Sequence, residues 1–429
     1  MWLGNANHRS TNLPIYQLPI YQSTNLPMSQ SANLPTIHLK HGKDKPVRQR
    51  HPWIFSGAIA RVEGQPAAGD LVDVVDVRGR WLARGYYNAR SQIVVRLLTW
   101  DQDETVDADF WRGRLSQAVQ ARASLAADAA TDAYRLVYAE SDGVPGLIVD
   151  CYGDWLVVQF LTLGVEARRE MLLTLLAEVA TPRGIVDRSD AVVRRQEGLS
   201  LRSGPAWGEP PPADLVICEH GHRFPVDLLG GQKTGFYLDQ RENRRIVGSY
   251  AADRRVLNAF SFTGAFGVYA LAGGATHVTN LDSSYEALAG AEAALRLNGF
   301  DPDVQAEAIA GDVFDVLRAF LAEGRQFDLV ILDPPKFASR KADLAGAARG
   351  YKDINLLGLK LLAPGGMVAT FSCSGLVTPD LFQKIVFGAS VDAGRDAQIV
   401  ARLGQAADHP ILLSFPEAEY LKGLLCRAI

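Results

Sequence analysis

The sequence predicts an α/β protein in three folded parts, and two observations support that prediction. First, 429 residues are enough for about three domains. Second, the residue pattern changes twice: strand-like runs fill residues 36–105, mixed strands and helices follow over 106–220, and strands alternate with helices over 221–429. We therefore expect a small all-β domain, a central α+β domain with a linker, and a C-terminal doubly wound sheet.

The residues before these parts form a low-complexity segment, 1–35. Ser-Thr-Asn-Leu-Pro occurs at Ser10–Pro14 and Ser23–Pro27 and returns imperfectly at Ser31–Pro35, and the only charged residue is Arg9. Such a composition offers too little apolar surface to offset the entropy of ordering. We predict a disordered tail, with Met28 as a second candidate start.

The first two folded parts are predicted from strand-like runs bounded by Gly, Pro and charged residues. The all-β part contains Leu71–Val77, Trp81–Tyr86 and Ile93–Leu98, and an Ala-rich helix follows at Asp109–Asp128. The central part contains strands at Arg135–Ala139, Gly146–Asp150 and Trp155–Leu161, a helix at Glu166–Val179, and strands from Gly184. The Pro-rich run Pro205–Pro212 is predicted to be an interdomain linker.

The C-terminal part alternates strands with helices, which is typical of a mostly parallel sheet. The strands are predicted at Arg255–Phe260, His277–Leu281, Gln305–Ala310, Phe327–Leu332 and Gly366–Phe371. The helices are predicted at Ala265–Ala272, Ser284–Asn298, Val313–Glu323, Ala347–Leu362 and Pro379–Ala393. In such a sheet, ligands bind at the carboxyl ends of the strands.

Composition limits the classes of function. With 48% hydrophobic and 21% charged residues the chain is typical of a globular protein. Its four cysteines are far apart and form no C-x-x-C pair or zinc-ligand pattern, so we expect no disulfide framework, no metal and a reducing, cytoplasmic location. No apolar run is long enough to span a membrane, and residues 1–33 do not resemble a signal peptide.

Charge is distributed unevenly along the chain. The net charge is −4, yet residues 36–100 hold eleven Lys/Arg against five Asp/Glu, a local excess of +6. This asymmetry indicates a basic domain that binds a polyanion, with Arg48 and Arg50 as candidate contacts. A merely solvated basic face remains the alternative.

Small or acidic residues follow four of the predicted strands. The first strand leads through Phe260, Ser261, Thr263 and Gly264 into a helix whose start offers unpaired N–H groups. Asp282 ends the second strand, eighteen residues after Gly264, where it can bind ribose hydroxyls. A dinucleotide-binding domain would normally show G-x-G-x-x-G, which is missing.

The third and fourth strands end at acids as well. Asp312 follows the third strand and could help to read an adenine edge. The fourth strand ends in Asp333-Pro334-Pro335-Lys336-Phe337, where two prolines make a rigid extended ledge suited to a planar base. This arrangement of acids resembles the class I S-adenosylmethionine-dependent methyltransferases.

Cys373 follows the fifth strand, between Ser372 and Ser374, on the face where the cofactor is expected. A thiolate there could add to carbon 6 of a pyrimidine and make carbon 5 nucleophilic, while Asp333 binds the polar edge of the base. Lys336 could lower the pKa of the thiol if the two loops meet. Cys151, Cys218 and Cys426 are interpreted as small buried hydrophobic residues.

The segment Gly231–Arg241 precedes the first of these strands and combines glycines, an aromatic pair and basic residues. It is interpreted as a lid in which Lys233 and Arg241 could contact the cofactor carboxylate, a flipped base or RNA phosphate. A structural loop followed by a helix start is the alternative.

Taken together, these segments are similar to one family, the bacterial 23S ribosomal RNA (cytosine-5) methyltransferases of the RlmI type. The similarity extends over nearly all of Thr36–Ile429, and its motifs are these: Lys233–Arg241, Leu257–Phe266, Asp312–Phe314, Asp333–Phe337, Arg349–Asn355, Phe371–Gly375, Asp392–Asp396, Gln405–Pro410 and Tyr420–Arg427. The resemblance implies a PUA-like RNA-binding domain at 36–105, a central α+β domain and linker at 106–220, and a Rossmann-like methyltransferase domain at 221–429.

The resemblance also implies roles for individual residues. Cys373 would be the catalytic nucleophile and Asp333 its partner, with S-adenosylmethionine as cofactor and large-subunit ribosomal RNA as substrate. Cofactor contacts would fall on Phe260, Ser261, Thr263, Gly264, Asp282, Asp312 and Asp333. RNA contacts are expected at Lys233, Arg241, Lys336, Arg48 and Arg50.

One position departs from the wider group of RNA cytosine-5 methyltransferases. Many of these keep a second cysteine where this chain has Pro335. Methylation of an exocyclic base nitrogen is an alternative, although such enzymes commonly place an aromatic residue where this chain has Lys336. A non-catalytic RNA-binding assembly factor is another. The sequence does not identify the target cytosine or the group that removes the carbon-5 proton. It also does not decide whether the protein forms a homodimer.

Overall fold

A computed structural model describes residues 34–231, 234–338 and 340–429. The predicted disordered tail therefore lies outside the described residues, apart from its last two positions. Lys233 also lies outside them.

The first described part is a six-stranded sheet around a small apolar core. Alternating side chains explain its strands, because Ile37, Val72, Val74 and Val95 all point inward and are fully buried. The elements are β1 (Thr36–Leu39), α1 (Lys45–Arg48), β2 (Trp53–Phe55), β3 (Ile59–Glu63), β4 (Leu71–Val75), β5 (Trp81–Tyr87) and β6 (Ile93–Thr99). The strand order is β2-β6-β5-β4-β1-β3.

The central part is a five-stranded sheet packed against helices. Its elements are α2 (Ala108–Ala121), α3 (Ala123–Ala126), β7 (Ala133–Tyr138), β8 (Leu147–Tyr152), β9 (Trp155–Phe160), α4 (Leu163–Glu166), α5 (Arg169–Ala180), β10 (Gly184–Asp187), α6 (Val193–Gln196) and β11 (Gly204–Gly208). The strand order is β11-β10-β9-β8-β7, with β10 parallel to β9 and the other pairs antiparallel.

Two predictions for this part need correction. The helix predicted at Asp109–Asp128 is interrupted at Arg122, whose buried guanidinium binds Asp142. The predicted linker begins instead with β11, an edge strand that tolerates Pro205 because its outer side needs no ladder hydrogen bonds. A hairpin of β12 (Val216–Glu219) and β13 (His222–Pro225) follows, and the boundary predicted between residues 220 and 221 falls in its turn.

The C-terminal part is a seven-stranded sheet with apolar clusters around it. Its elements are α7 (Arg241–Gly248), β14 (Arg255–Ala259), α8 (Ala265–Ala272), β15 (His277–Asp282), α9 (Tyr285–Leu297), α10 (Pro302–Gln305), β16 (Ala306–Ala310), α11 (Val313–Ala322), β17 (Phe327–Leu332), α12 (Leu344–Lys360), β18 (Leu362–Ser372), α13 (Pro379–Ala393), β19 (Ala397–Gly404) and β20 (Lys422–Ala428).

The strand order is β16-β15-β14-β17-β18-β20-β19. The five predicted strands, β14 to β18, are parallel, whereas β20 and β19 extend the sheet in antiparallel fashion. The chain reverses its order beside β14, between β15 and β17, and this is where an open α/β sheet binds its ligand. Among the described residues, no helix is long and apolar enough to cross a membrane.

Two buried ionic clusters join the three parts. Arg96 in β6 lies between Glu140 and Glu197 of the central part, with N–O distances of 3.5 and 3.0 Å. We call this the first joint.

The second joint lies around Asp408, between the central and C-terminal parts. The Asp408 carboxylate accepts two hydrogen bonds from Arg241 (2.8 and 3.1 Å) and one from the backbone N–H of Arg135 (2.8 Å). Its backbone carbonyl accepts a further hydrogen bond from Arg122. Arg241 and Asp408 are both at most 1% exposed. Charges buried this completely are tolerated because each has a partner in fixed geometry.

Candidate active site

The loop after β14 has an unusual backbone. Phe260, Phe262 and Gly264 all have positive φ angles, of 59, 48 and 70°. A bulky aromatic residue rarely adopts this conformation, and such strain concentrates at functional sites. At Gly264 a side chain is excluded, since an added Cβ would lie 2.5 Å from the Cβ of Ala291. The tight packing brings the backbone close to the carboxyl end of β15.

Asp282 is held at that end in a fixed orientation. One of its carboxylate oxygens accepts the N–H of Phe262 at 2.9 Å, and the other accepts the N–H of Ser284 at 3.0 Å. Each oxygen keeps a second lone pair for a ligand. The carboxylate is therefore preorganised to accept two hydroxyl hydrogen bonds, as a ribose would require.

Two hydroxyl groups of the same loop indicate a polar ligand. The side-chain oxygens of Ser261 and Thr263 are buried, and neither has a hydrogen-bond partner among the described residues. Buried hydroxyls are normally satisfied, so each unpaired one needs an explanation. Together with Asp282 they fit a cofactor that carries hydroxyl and charged groups.

Asp312 has a structural role at the start of α11. Its Oδ1 accepts the N–H of Asp315 at 3.2 Å, as an N-cap residue does. The residue is exposed, at the carboxyl end of β16. Capping leaves the other carboxylate oxygen for a ligand, so the predicted cofactor contact stays a prediction.

Asp333 is oriented by a chain of amide groups. The Gln240 side chain donates to its Oδ2 at 2.9 Å. Gln240 in turn accepts a hydrogen bond from the Asn243 amide. The same Asn243 amide donates to the backbone carbonyl of Gly404 and accepts a hydrogen bond from the Gly404 N–H. These contacts leave only one orientation for the Gln240 amide, with its N–H₂ toward Asp333. The sequence analysis did not identify Gln240 as a site residue, because its partner is distant in sequence.

The loops after β17 and β18 meet at Ser374, next to Cys373. The Ser374 hydroxyl lies 3.0 Å from the Tyr351 hydroxyl and accepts the N–H of Ala338 at 3.4 Å. The ring of Phe337 packs on Tyr351 with centroids 4.6 Å apart. The ledge that begins at Asp333 thus ends against the loop that carries Cys373.

Tyr237 shows that the candidate groups converge. Burial raises the pKa of the Tyr237 phenol, and Asp333, Asp239, Cys373 and Asp282 raise it further by their negative charge. These groups come from the segment before α7 and from the carboxyl ends of β15, β17 and β18. One phenol therefore lies within electrostatic reach of the predicted nucleophile, its partner and the predicted ribose ligand.

The other three cysteines lie in different surroundings. Burial raises the pKa of Cys151 to about 12 and that of Cys426 to about 11, and it also raises the pKa of Cys218. All three are therefore protonated thiols at neutral pH and poor nucleophiles. Cys426 is buried, whereas Cys151 and Cys218 are only half-buried, contrary to the prediction.

The predicted RNA contacts differ in whether the structure leaves them exposed to solvent. Arg241 is buried in the second joint, so its guanidinium cannot reach RNA phosphate, and that prediction is wrong. Lys336 is exposed on the ledge, and Arg50 is exposed beside the ring of Trp100. Arg48 is also exposed, but it pairs with Asp44 and Asp76 at 2.7 and 2.8 Å.

Comparisons with known proteins show the family of this chain. A PUA-like domain matches residues 37–100, and the S-adenosylmethionine-dependent methyltransferase family matches residues 156–427. A protein from Tolumonas auensis, named ribosomal RNA large subunit methyltransferase I, is 52% identical over 395 residues, which cover 92% of this chain and 99% of that protein. The chain belongs to this methyltransferase family. A relative of the same name from Klebsiella pneumoniae (strain 342) is 49% identical over 395 residues, covering 92% and 98%.

Solved structures show the same fold. A structure from Streptococcus mutans, described as an S-adenosylmethionine-dependent methyltransferase, superposes with a TM-score of 0.79 at 21% identity, covering 91% of this chain and 99% of that one. Another, described as a methyltransferase complexed with SAH, gives a TM-score of 0.81 at 22% identity with the same coverage. The predicted fold class and the S-adenosylmethionine cofactor are confirmed. The domain boundaries and the residue roles other than that of Arg241 stay predictions.

The geometry of Asp282 gives the methyltransferase a testable cofactor contact. We expect Asp282→Ala to weaken S-adenosylmethionine binding by about 1–3 kcal/mol, because hydrogen bonds to a charged group are lost. Titration calorimetry would measure this. Glu323→Ala, at an exposed acid after α11, should bind as the wild type does. Wild-type affinity in Asp282→Ala, with unchanged thermal stability, would exclude the role.

Proposed function

We propose that this chain transfers a methyl group from S-adenosylmethionine to carbon 5 of a cytosine in 23S ribosomal RNA, through a covalent adduct with Cys373. The observation that carries the proposal is that Asp282, Asp333 and Cys373 lie at the ends of β15, β17 and β18, which are parallel strands that end at one edge of the sheet, beside Tyr237. The relatives named ribosomal RNA large subunit methyltransferase I support the class of substrate.

The chemistry follows from the weak nucleophilicity of cytosine carbon 5. The Cys373 thiolate adds to carbon 6, forming an S–C bond and moving electron density onto carbon 5. Bound S-adenosylmethionine would supply an electrophilic methyl group: carbon 5 would form the new C–C bond as the sulfonium–methyl bond breaks, and S-adenosylhomocysteine would leave. A base then removes the carbon-5 proton, the S–C bond breaks, and the thiolate is regenerated.

Asp333 is placed to bind the polar edge of the cytosine. Its carboxylate is fixed by Gln240 and stands at the start of the ledge, so it can accept a hydrogen bond from the exocyclic amine of cytosine. Phe337 packs on Tyr351 and lies 6.3 Å from the ring of Phe314. These contacts disfavour a role for the Phe337 ring in stacking on a base, which is the role that exocyclic-nitrogen enzymes give to an aromatic residue on such a ledge.

The six-stranded sheet supports RNA binding. Near α1 it has a cleft of about 420 Å³ whose lining includes Lys43, His51, Trp53 and Phe55. Phe55 is 46% exposed, and its ring lies edge-on to Trp53 at 6.1 Å. Aromatic rings next to cations are typical of surfaces that bind single-stranded nucleic acid. We include this cleft in the proposed RNA-binding face.

The first test is enzymatic. Purified protein would be incubated with tritiated S-adenosylmethionine and unmodified large-subunit ribosomal RNA, and the RNA digested to nucleosides. Label in 5-methylcytosine is expected. Label in a methylated guanine, adenine or exocyclic nitrogen would replace the proposal with the alternative chemistry. No label, in a protein that binds cofactor by calorimetry, would favour the non-catalytic assembly factor.

The basic face gives a second prediction. Among the described residues, Lys43 and Arg50 are exposed and form no ion pair, so their charges are available to phosphate. We expect Lys43→Glu/Arg50→Glu to weaken RNA binding and to reduce the slope of log K against log salt by about 1–2. Filter binding over a range of salt concentrations would measure this.

The control has the same change in net charge at other exposed sites, Arg195→Glu/Lys360→Glu. An equal loss of affinity in both double variants would show that overall charge, and not this face, governs binding.

A further inference from the structure

Lys422 is a buried lysine beside the loop that carries Cys373. It is the first residue of β20 and the cross-strand partner of Ser372 in β18. The side chain is only 5% exposed. Its ammonium donates to the backbone carbonyls of Ser374 and Val377, both at 2.8 Å. Lys422 therefore fixes the turn that follows Cys373 at two points.

Two carbonyl hydrogen bonds do not explain why a charged group is buried here. Removing an ammonium from water is costly unless an anion lies nearby, and no carboxylate among the described residues forms a salt bridge with Lys422. A neutral amide could bond the same carbonyls at lower cost. The position therefore points to a partner that is negatively charged in the working state.

The thiol of Cys373 fits that description. Burial lowers the pKa of Lys422 to about 8. The negative charges of Cys373 and Glu419 raise this pKa, whereas the positive charge of Lys336 lowers it. Electrostatic coupling is mutual: an ammonium stabilised by a thiolate stabilises that thiolate to the same extent. Because the lysine titrates near pH 8, its positive charge is present at neutral pH.

Among the residues that the structure describes, the other titratable groups that interact with Cys373 or Lys422 supply no buried positive charge. Tyr237, before α7, and Tyr351, in α12, both interact with Cys373, and burial raises the pKa of each phenol. Both are neutral at pH 7. Asp333 carries the wrong charge, and Lys336 is exposed to solvent, which screens it. Of the two lysines, Lys336 and Lys422, only Lys422 is buried.

We propose that Lys422 is a positioning residue that holds the Cys373 loop and stabilises the Cys373 thiolate at neutral pH. The assignment rests on the proposed function in so far as the thiolate is taken to be the nucleophile. The electrostatic part can be measured without any turnover.

The experiment follows the rate of Cys373 alkylation by iodoacetamide against pH, read from the labelled peptide by mass spectrometry. For Lys422→Gln, whose amide can still donate to carbonyls, we expect the midpoint to rise by about one pH unit and the rate at pH 7 to fall on the order of tenfold. Lys422→Met is a second neutral variant, in case the glutamine variant does not fold. Lys336→Met, at the exposed neighbour, should shift the midpoint much less.

The outcomes separate this proposal from the proposed function. Calorimetry with S-adenosylmethionine would first show that each variant keeps its fold. An unchanged midpoint in both Lys422→Gln and Lys422→Met overturns the proposal, even if Cys373→Ala is inactive. A raised midpoint supports it, even if the nucleoside assay finds the methyl group on another atom.

Discussion

Cys373→Ala is expected to abolish methyl transfer to RNA, by roughly 10³-fold or more, and to leave S-adenosylmethionine affinity unchanged. The thiolate is the only group in the proposed mechanism that activates carbon 5, so nothing replaces it. The other proposed contacts to the cofactor lie on the loops after β14, β15, β16 and β17 and are untouched. Initial rates with tritiated cofactor, together with calorimetry, would measure both effects.

The control and an independent trap complete this test. Cys151→Ala removes a half-buried thiol of high pKa and should keep the wild-type rate. RNA that contains 5-fluorocytosine should accumulate a covalent complex, because fluorine cannot leave carbon 5 as a proton does. A Cys373→Ala enzyme with its rate intact, or a complex linked through another residue, would disprove the thiolate mechanism.

Asp408→Ala is expected to lower the free energy of unfolding by about 3–5 kcal/mol, since it leaves the buried charge of Arg241 without its partner. Urea denaturation at pH 7 would measure the loss. The double variant Arg241→Met/Asp408→Leu removes both charges and should recover much of that stability. If the single variant were as stable as the wild type, the second joint would not hold the two parts together.

The same carboxylate predicts a dependence on pH. Burial opposes ionisation of Asp408, but His409 and Arg241 outweigh it and hold its pKa well below the usual range. A group whose pKa is lower in the folded state adds stability above its unfolded pKa of about 3.9, and that stability is lost as the pH falls toward its folded pKa. The stability of the wild type should therefore drop below about pH 4 more steeply than that of Asp408→Ala.

The parallel strands and their terminal acids were predictable from the sequence because each depends on local pattern. Strands β14 and β17 are mostly apolar and buried, and Asp282 and Asp333 stand directly at strand ends. The convergence of Asp333 and Cys373 also follows from the sheet, since neighbouring parallel strands end at the same edge.

The remaining features depend on partners distant in sequence. Arg241 looked like an RNA contact because its partner, Asp408, is 167 residues away. Likewise Lys422 bonds a turn 45 to 48 residues earlier. For Lys422 a sequence signal was present: it is the lone charge in the apolar run Leu421–Cys426, which indicates a buried and therefore costly lysine. Strands β19 and β20 were not predicted, because the prediction relied on strands that alternate with helices. These two strands pair in antiparallel fashion and have no helix between them.

The two joints have a consequence for how a substrate would be chosen. Buried charge clusters have few alternative geometries. The two joints therefore fix the distance between the cleft near α1 and Cys373. For the proposed RNA substrate, a fixed distance of this kind would make selection depend on the three-dimensional structure of the RNA. A cytosine would be methylated only if a second RNA element lies at the matching distance and binds the cleft. A short oligonucleotide that contains only the target cytosine would reach the site at Cys373 but would not also bind the cleft.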